Sequence, residues 1–193
     1  MAQVKKDEIR DRILASAESL FAEHGYVDTT MASIAKLADV SKSNIYVYFG
    51  SKLEILWAIS DPWLRERFDA LESEIAELPD SQSRIERLFE ALWIDLPAER
   101  NGFANNMMQA LSTTDDSDGY SRDLLAYCET RISTLLSRSL PAVPLDVQAI
   151  SHIALMAFDG FAIGQRLSGG PDIARNSVRA FANLLHSDVQ SMH

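Results

Sequence analysis

Apolar residues recur along nearly the whole chain at the three- and four-residue spacing of amphipathic helices, and no stretch alternates like a β-strand for long. The first apolar stripe runs from Ile9 to Phe21. Gly25 follows it, and glycine most readily takes the positive φ found just past a helix end. The pattern therefore predicts a first helix that ends near residue 25.

Two shorter helices are predicted next. Thr29 and Thr30 offer N-caps for the second helix, and Ser41 offers one for a third helix that runs to about Phe49. The turn between them falls at Asp39. Two short helices joined by a tight turn have the dimensions of a helix-turn-helix.

A longer helix restarts at Ser51 and reaches Leu78, with Pro62 inside its apolar stripe. Because Pro62 does not break the phase of the stripe, we favour one kinked helix; a separate helix that starts at Asp61 and Pro62 is the alternative. Further helices are predicted near 82–95, 101–112, 120–139, 146–167 and 172–188, separated by Pro97, the polar run 113–119, Pro141 and Pro144, and residues 169–171. The polar run is expected to be a surface loop, because it lacks the glycine position and the final glutamate of a calcium loop.

These elements predict an all-α chain. We expect residues 1–52 to form a three-helix helix-turn-helix domain, and residues 53–193 to form a second helical domain. A chain of 193 residues is long enough to bury its core without disulfides. Its single cysteine, Cys128, excludes a disulfide scaffold and a cysteine-rich metal site within the chain.

The hydropathy of the chain predicts a cytoplasmic protein with no membrane partner. The first residues, MAQVKKDEIRDR, are charged where a secretion signal needs an apolar run. We also expect the apolar tracts to stop well short of the roughly 18 residues that span a bilayer.

Charge is divided unevenly along the chain. Residues 1–52 hold seven Lys or Arg and seven Asp or Glu, whereas residues 53–193 hold eleven and twenty-one, which accounts for the whole net charge of −10. All five lysines lie in the first segment. An acidic protein repels DNA as a whole, but a neutral segment with clustered lysines need not.

The third helix is expected to have one small, polar face, because successive side chains are rotated by about 100° around the helix axis. With Ile45 and Phe49 inward, Ser43 and Val47 point directly away. In a major groove, asparagine can pair with adenine, lysine with guanine, and valine with a thymine methyl group, while hydroxyl, ammonium and free N–H groups can meet phosphates. The predicted DNA contacts are Thr30, Lys42, Ser43, Asn44, Tyr46, Val47, Tyr48 and Lys52. On this reasoning alone, an ordinary surface of a three-helix bundle stays open as the alternative.

The residue string itself resembles the DNA-binding signature of the TetR family of bacterial transcriptional repressors. The resemblance covers TTMASIA at 29–35, ADVSKSNIYVYF at 38–49 and SK at 51–52, and the preceding helix has similar spacing. It implies an N-terminal helix-turn-helix that binds DNA and a C-terminal helical domain that binds a ligand and dimerises. Asp39 and Ser43 stand where the family often has glycine. We expect Asp39 to take a left-handed conformation at modest cost and Ser43 to alter base preference.

Helix 146–167 is apolar on most of its faces, so it needs cover on two sides. Small residues on this helix permit another helix to approach closely. With helix 172–188 it looks like the paired helices through which TetR-like proteins dimerise as a four-helix bundle, and a single internal core helix is the alternative. The predicted interface residues are Ala157, Phe161, Gly164, Val178, Phe181 and Leu185.

The rest of the second domain has enough apolar bulk to line a pocket, although each such side chain alone is typical of a plain core. The resemblance implies a ligand cavity here, for which an apolar or amphipathic small molecule is expected. The predicted lining residues are Trp93, Phe103, Met107, Tyr127 and Phe158, with Asn101, Asn105, Asn106 and Gln109 as hydrogen-bonding groups on a short helix that moves in similar proteins.

No catalytic constellation stands out in the sequence. The four histidines do not cluster, and neither a Gly-rich phosphate loop nor a nucleophile motif is present. His152 and Asp159 lie two turns apart on one predicted helix. We therefore expect no enzyme, no cofactor and no metal site.

The sequence thus predicts a homodimeric, ligand-responsive transcriptional regulator, with a repressor favoured over an activator. Its operator is expected to be an inverted repeat with half-sites about 34 Å apart. Replacing Lys52 with alanine is expected to weaken binding to all DNA sequences and flatten its salt dependence. A helical enzyme and a protein-interaction module without specific DNA binding stay open as alternatives.

Overall fold

The computed structural model describes residues 2–99, 102–113, 123–140, 146–167 and 171–190. Within these ranges the chain is helical and has no strand, so the predicted all-α class is confirmed. A π-helical turn, Ala91–Asp95, joins two of the helices. The helices are α1 (Ala2–Asp28), α2 (Met31–Leu37), α3 (Lys42–Tyr48), α4 (Lys52–Ala76), α5 (Ser81–Glu90), α6 (Leu96–Glu99), α7 (Phe103–Thr113), α8 (Asp123–Ser139), α9 (Val147–Leu167) and α10 (Pro171–Gln190).

The first three helices form as their sequence predicts. Gly25 has a φ of 79° and a ψ of 170°, which interrupt α1 three residues before its last residue. α1 packs on α2, and α2 packs on α3. Ile13, Ile34 and Ile45 are fully buried and form the centre of this three-helix core.

α4 continues through Pro62 as one helix, which confirms the single-helix prediction over a new helix at Asp61. The helix predicted to end before Pro97 instead continues past it, which corrects that prediction. In the π turn, the Leu96 N–H donates to the carbonyl of Ala91, five residues back. A proline such as Pro97 lacks an N–H, and its ring clashes with the carbonyl four residues earlier in a regular α-helix. The wider π turn lies at the position of that clash.

The later helices begin and end within three residues of the predicted bounds. The loop predicted over 113–119 starts at the last residue of α7, and its other residues lie outside the described part of the chain. Pro141, Pro144, Gly169 and Gly170 lie outside it as well.

α9 is more apolar than predicted. Its segment Val147–Gly164 has 18 residues with a mean hydropathy of 1.4, long and apolar enough by length and composition to cross a membrane, whereas shorter tracts were expected. Of this segment 17% is buried, and a single segment of this kind is weak evidence for a membrane span, because core helices of soluble proteins have similar length and composition. α8 and the π turn pack against α9.

The contacts divide the chain into two compact units, Met1–Trp63 with Asn101–Ser121, and Leu64–Arg100 with Arg122–His193. The first unit contains α1, α2, α3, the first part of α4, and α7. It extends beyond the predicted DNA-binding domain of residues 1–52, because α7 packs on α1. The functional boundary between 1–52 and 53–193 stays a prediction.

Candidate DNA-binding and ligand sites

Local hydrogen bonds fix the turn between α2 and α3. The Thr30 hydroxyl accepts from the Ser33 N–H, and the Ser33 hydroxyl accepts from the Thr30 N–H, each at 3.0 Å, which makes a reciprocal cap of α2. Asp39 has a φ of 52°, in the left-handed region, as predicted. The Ser41 hydroxyl accepts from the Asn44 N–H at 3.1 Å and caps α3. α3 therefore leaves the turn in a defined direction.

The side chains of α3 point inward and outward as its sequence predicts. Ile45 is fully buried and Phe49 is 3% exposed, whereas Val47 is 68% exposed on the outer side. The Ser43 hydroxyl, which stands where the family often has glycine, lies 3.1 Å from the Ser41 hydroxyl. Of the predicted DNA contacts, Thr30, Lys42, Ser43, Tyr46 and Val47 are exposed, and Asn44, Tyr48 and Lys52 are half-buried.

Lys52, predicted as a phosphate contact, places its ammonium group among backbone carbonyl oxygens. Its Nζ donates to the carbonyls of Tyr26 at 2.5 Å and Thr29 at 2.7 Å, and lies 3.5 Å from that of Val27. It also lies 4.0 Å from the centroid of the Tyr26 ring. Burial lowers the pKa of Lys52, and the Asp28 carboxylate opposes this shift. The start of α4 is thereby tied to the segment that connects α1 to α2.

α7 holds α1 through two amide side chains that the sequence alone suggested for ligand binding. Asn106 Nδ2 donates to the Phe21 carbonyl at 3.2 Å, and Gln109 Oε1 accepts from the Val27 N–H at 3.1 Å. A Cβ at Gly25 would lie 3.2 Å from Gln109 Oε1, so the glycine leaves room for this contact. Polar residues on α7 signalled hydrogen bonding, but the sequence could not pair them with backbone groups more than 80 residues earlier. Asn105 is half-buried, and Asn101 lies outside the described residues.

The predicted ligand-lining residues fall into two sets. Phe103 and Met107 are buried in the first unit, where the Phe103 ring packs edge-on against Trp63 with centroids 4.8 Å apart. Trp93, Tyr127 and Phe158 belong to the second unit. Since no single unit holds all five, their assignment to one pocket stays a prediction.

Trp93 has the surroundings of a packed core. Its ring stacks on Phe161 with centroids 4.7 Å apart, and it also contacts the rings of Phe89 and Phe181. Its Nε1 donates to the carbonyl of Ala154 at 3.0 Å. Both the burial of the ring and the hydrogen bond of its N–H are therefore accounted for within the unit.

Tyr127 lies among ion pairs. The Arg65 guanidinium is 4.1 Å from its ring centroid, and Arg131 donates to its hydroxyl at 2.9 Å. Arg131 also pairs with Asp69 at 2.7 Å and with Glu72 at 2.9 Å. This side of Tyr127 is charged, and the role of the ring in ligand binding stays a prediction.

One cleft in the second unit is lined by charged pairs and by none of the predicted ligand residues. Arg87 pairs there with Glu74 at 2.7 Å and with Asp95 at 2.8 Å, and Arg67 pairs with Glu99. Its volume of about 40 Å³ admits a few water molecules. These internal pairs satisfy the charged walls of the cleft.

The predicted dimer residues divide between the inside and the outside of their unit. Val178 and Leu185 are 4% and 6% exposed, so their side chains pack within the protomer. Phe161 and Phe181 are half-buried against Trp93. Helical spacing marked these apolar positions without showing which of two apolar faces turns inward, and their assignment to a dimer interface stays a prediction.

The exposed apolar surface of α9 lies at other positions. Neither Gly160 nor Gly164 would place a Cβ within 4 Å of another atom, and Ala157 is half-buried beside them. On α10, Ile173 and Leu184 are also exposed. The surface that we call the α9 face consists of Ile153, Met156, Gly160, Ile163 and Gly164, which recur at helical spacing and are exposed.

His152 and Asp159, which lie two turns apart on α9, have different surroundings. His152 Nδ1 lies 3.4 Å from the Glu129 carboxylate, and its side chain is 60% exposed. Burial raises the pKa of Asp159. Among the described residues, no group of three or more His, Cys, Asp or Glu is placed to hold a metal ion.

A family model described as bacterial regulatory proteins, tetR family, matches residues 13–59, from α1 into the first half of α4. Over these residues the chain is similar to TetR-family regulators. Among TetR-like relatives, the transcriptional regulator HbdR of Aromatoleum sp. (strain CIB) is 32% identical over 140 residues, which cover 70% of this chain and 58% of HbdR. The chain spans about half the length of the curated relatives it matches. These relatives are named as transcriptional regulators and not as enzymes.

Two solved structures of transcriptional regulators have a similar fold. The regulator FadR from Bacillus subtilis, in complex with stearoyl-CoA, has a TM-score of 0.69 at 19% identity and covers 89% of this chain and 96% of that one. A TetR-family regulator from Pectobacterium atrosepticum has a TM-score of 0.66 at 21% identity and covers 94% of each chain.

Proposed function

We propose that this protein is a cytoplasmic, TetR-family transcriptional repressor that binds an inverted-repeat DNA operator as a homodimer and is released by a small apolar or amphipathic ligand. The outer face of α3 carries this proposal. Ile45 and Phe49 anchor its inner side, the Ser41 cap fixes its start, and Val47 is largely exposed at the middle of the outer side. A short helix held in this way has the geometry of a recognition helix.

The residues of α3 divide by the DNA group that each can meet. Lys42, in the first turn, suits a guanine edge, and Asn44 suits adenine N6 and N7. The Val47 side chain, apolar and exposed, suits a thymine methyl group. The hydroxyls of Thr30, Ser43, Tyr46 and Tyr48 are left to meet phosphates or base edges.

The α9 face supports a homodimer. A glycine inside a helix costs about 1 kcal/mol relative to alanine, and nothing within the protomer requires Gly160 or Gly164 to lack a side chain. Small residues let a second helix approach closely, and the exposed Met156 and Ile163 give that helix an apolar surface to cover. A second copy of the same face is self-complementary about a two-fold axis.

The response to ligand is supported by α7. Phe103 and Met107 lie on the helix whose Asn106 and Gln109 hold the end of α1. A ligand that displaces the two apolar side chains would move the amides that hold α1. Its effect is limited to the difference between its affinities for the DNA-binding and the released states.

The ligand class can be screened directly. FadR from Bacillus subtilis was solved with stearoyl-CoA, which makes long-chain acyl-CoA the first compound class to test on this protein. Thermal unfolding is measured with stearoyl-CoA, free stearate and free CoA. A rise in Tm with the first two and not with CoA supports an amphipathic ligand bound through its chain.

Selection from random duplexes tests the proposed DNA binding. The ligand-free protein is incubated with a pool of random duplexes at physiological salt, and the bound fraction is sequenced after several rounds. An enriched inverted repeat supports the proposal. A folded protein that enriches no sequence contradicts it and favours a protein-interaction module.

A further inference from the structure

The last residues of α1 and Thr29, which follows it, are held by two other helices of the first unit, α7 and α4. We call residues 25–29 the 25–29 link. The Thr29 hydroxyl donates to the Gly25 carbonyl at 2.8 Å, within the link itself. Gln109 of α7 accepts from the Val27 N–H, and Lys52 of α4 donates to the carbonyls of Tyr26 and Thr29. The link is the connection from which α2 and then α3 continue.

We propose that Lys52 is a positioning residue for DNA binding, whose ammonium group holds the 25–29 link in place and does not contact a phosphate. This proposal rests on the proposed function, because it concerns how α3 is presented to DNA. It replaces the phosphate contact expected for Lys52 from the sequence.

The hydrogen-bond donors of the Lys52 ammonium group face acceptors within the protein. An ammonium has three donors, and Lys52 has three carbonyl oxygens within 3.5 Å. Tyr26 is 6% exposed and Thr29 is 1% exposed. Water therefore has little access to these two residues and cannot easily take the place of the lysine as a hydrogen-bond donor. Moving the ammonium to a phosphate would therefore leave the part-buried carbonyls of Tyr26 and Thr29 without this donor.

A phosphate contact and a positioning role predict opposite results for arginine at this position. Arginine keeps the charge and suits phosphate at least as well as lysine, so Lys52→Arg would preserve a phosphate contact. The planar guanidinium cannot place one compact cation among three converging carbonyls. Positioning therefore predicts that Lys52→Arg is as impaired as Lys52→Met.

The salt dependence of DNA affinity separates the two roles. Affinities of wild type, Lys52→Met, Lys52→Arg and Lys42→Met are measured from 50 to about 300 mM salt on the duplex enriched by selection. Loss of one phosphate contact lowers the slope of log affinity against log salt by about 0.9 per protomer. We expect both Lys52 variants to lose about tenfold in affinity, a loss of the size of an unmade hydrogen bond, with the slope of wild type. Lys42→Met, at an exposed lysine, is the matched control for charge removal.

Hydrogen exchange gives a readout that does not need DNA. We expect Lys52→Met to speed amide exchange in the 25–29 link and α2, and to leave exchange in α8 and α9 as in wild type. A lowered salt slope in Lys52→Met with unchanged exchange in the link, or full affinity in Lys52→Arg, overturns the positioning role. If wild type binds no duplex, the proposed function fails, while exchange in the link still decides whether Lys52 holds it.

Discussion

The outer face of α3 and the α9 face are both exposed on the protomer, but they differ in the kind of surface that can cover them. The α3 face carries hydroxyl, amide and ammonium groups around a single exposed valine, and it lies in a segment of zero net charge. The α9 face is apolar and has two glycines that the protomer's own packing does not require. Polar groups on a short capped helix suit DNA, whereas close approach and apolar cover suit another helix.

Exposure alone does not identify a site, and the chemistry of the exposed side chains distinguishes the proposed DNA-binding face from the proposed dimer face. If the α3 face binds DNA and the α9 face forms the dimer, a change on the α9 face removes both the dimer and operator binding. A change on the α3 face removes operator binding and leaves the dimer intact.

The largest effect is expected from Met156→Arg on the α9 face. A buried arginine without a partner would oppose dimer formation, and loss of two-site binding would lower operator affinity by about 100-fold or more. Sedimentation gives the oligomeric state, and fluorescence anisotropy gives the affinity. Met156→Leu, which keeps an apolar side chain, is the control and should behave as wild type. A dimeric Met156→Arg protein with full affinity would remove the α9 face from the interface.

Asn44→Ala is expected to have the next largest effect. Losing a bidentate contact to adenine costs about 1–3 kcal/mol and relaxes the preference at one base position. Affinity is measured on duplexes in which each position of one half-site is changed in turn. Equal losses at all positions would show that Asn44 does not contact a base, and an unchanged unfolding midpoint controls for damage to the fold.

Gly160→Ala is expected to have opposite effects on the protomer and the dimer. Replacing a helical glycine with alanine should stabilise the isolated protomer by about 0.5–1 kcal/mol, since the new Cβ meets no atom within 4 Å. A closely packed partner helix would instead be pushed away, so the dimer should dissociate at a higher concentration. Urea unfolding and dilution series measure the two effects. A variant with a more stable protomer and an unchanged dimer would mean that no helix approaches Gly160.

Changes at Asp39, in the turn before α3, are expected to alter the stability of the fold and neither exposed face directly. Its φ of 52° is strained for most residues but open to glycine, and aspartate tolerates it better than alanine does. Asp39→Gly should change the free energy of unfolding by less than about 1 kcal/mol, whereas Asp39→Ala should lower it by about 1–2 kcal/mol. Urea unfolding compares the three proteins. Equal stability of the alanine variant and wild type would show that the left-handed turn is not maintained.

The N-terminal half of the fold was predicted well because its signals are local. Gly25, the caps at Thr30 and Ser41, and the inward spacing of Ile45 and Phe49 each act within a few residues. The prediction that the helix ends before Pro97 was wrong. A proline usually ends a helix, but here the π turn lets the helix continue past it.

The sites were less predictable where they depend on distant packing. Lys52 and Gln109 meet backbone groups 23 to 82 residues away, which no local pattern encodes. Val178 and Leu185 share the helical spacing of interface residues, but α10 packs them inward against its own unit. The exposed positions on α9 could be assigned only once the inner face was known.

The functions of the two faces are separated by sedimentation of three proteins, each with and without the enriched duplex: wild type, Lys42→Ala with Asn44→Ala, and Met156→Arg. We expect wild type to be a dimer that binds one duplex, the α3 variant to be a dimer that leaves the duplex free, and the α9 variant to be a monomer that leaves it free. A monomeric wild-type protein that binds the duplex fully would contradict dimerisation through the α9 face as a requirement for DNA binding. An α3 variant that binds as wild type does would contradict DNA binding by the α3 face.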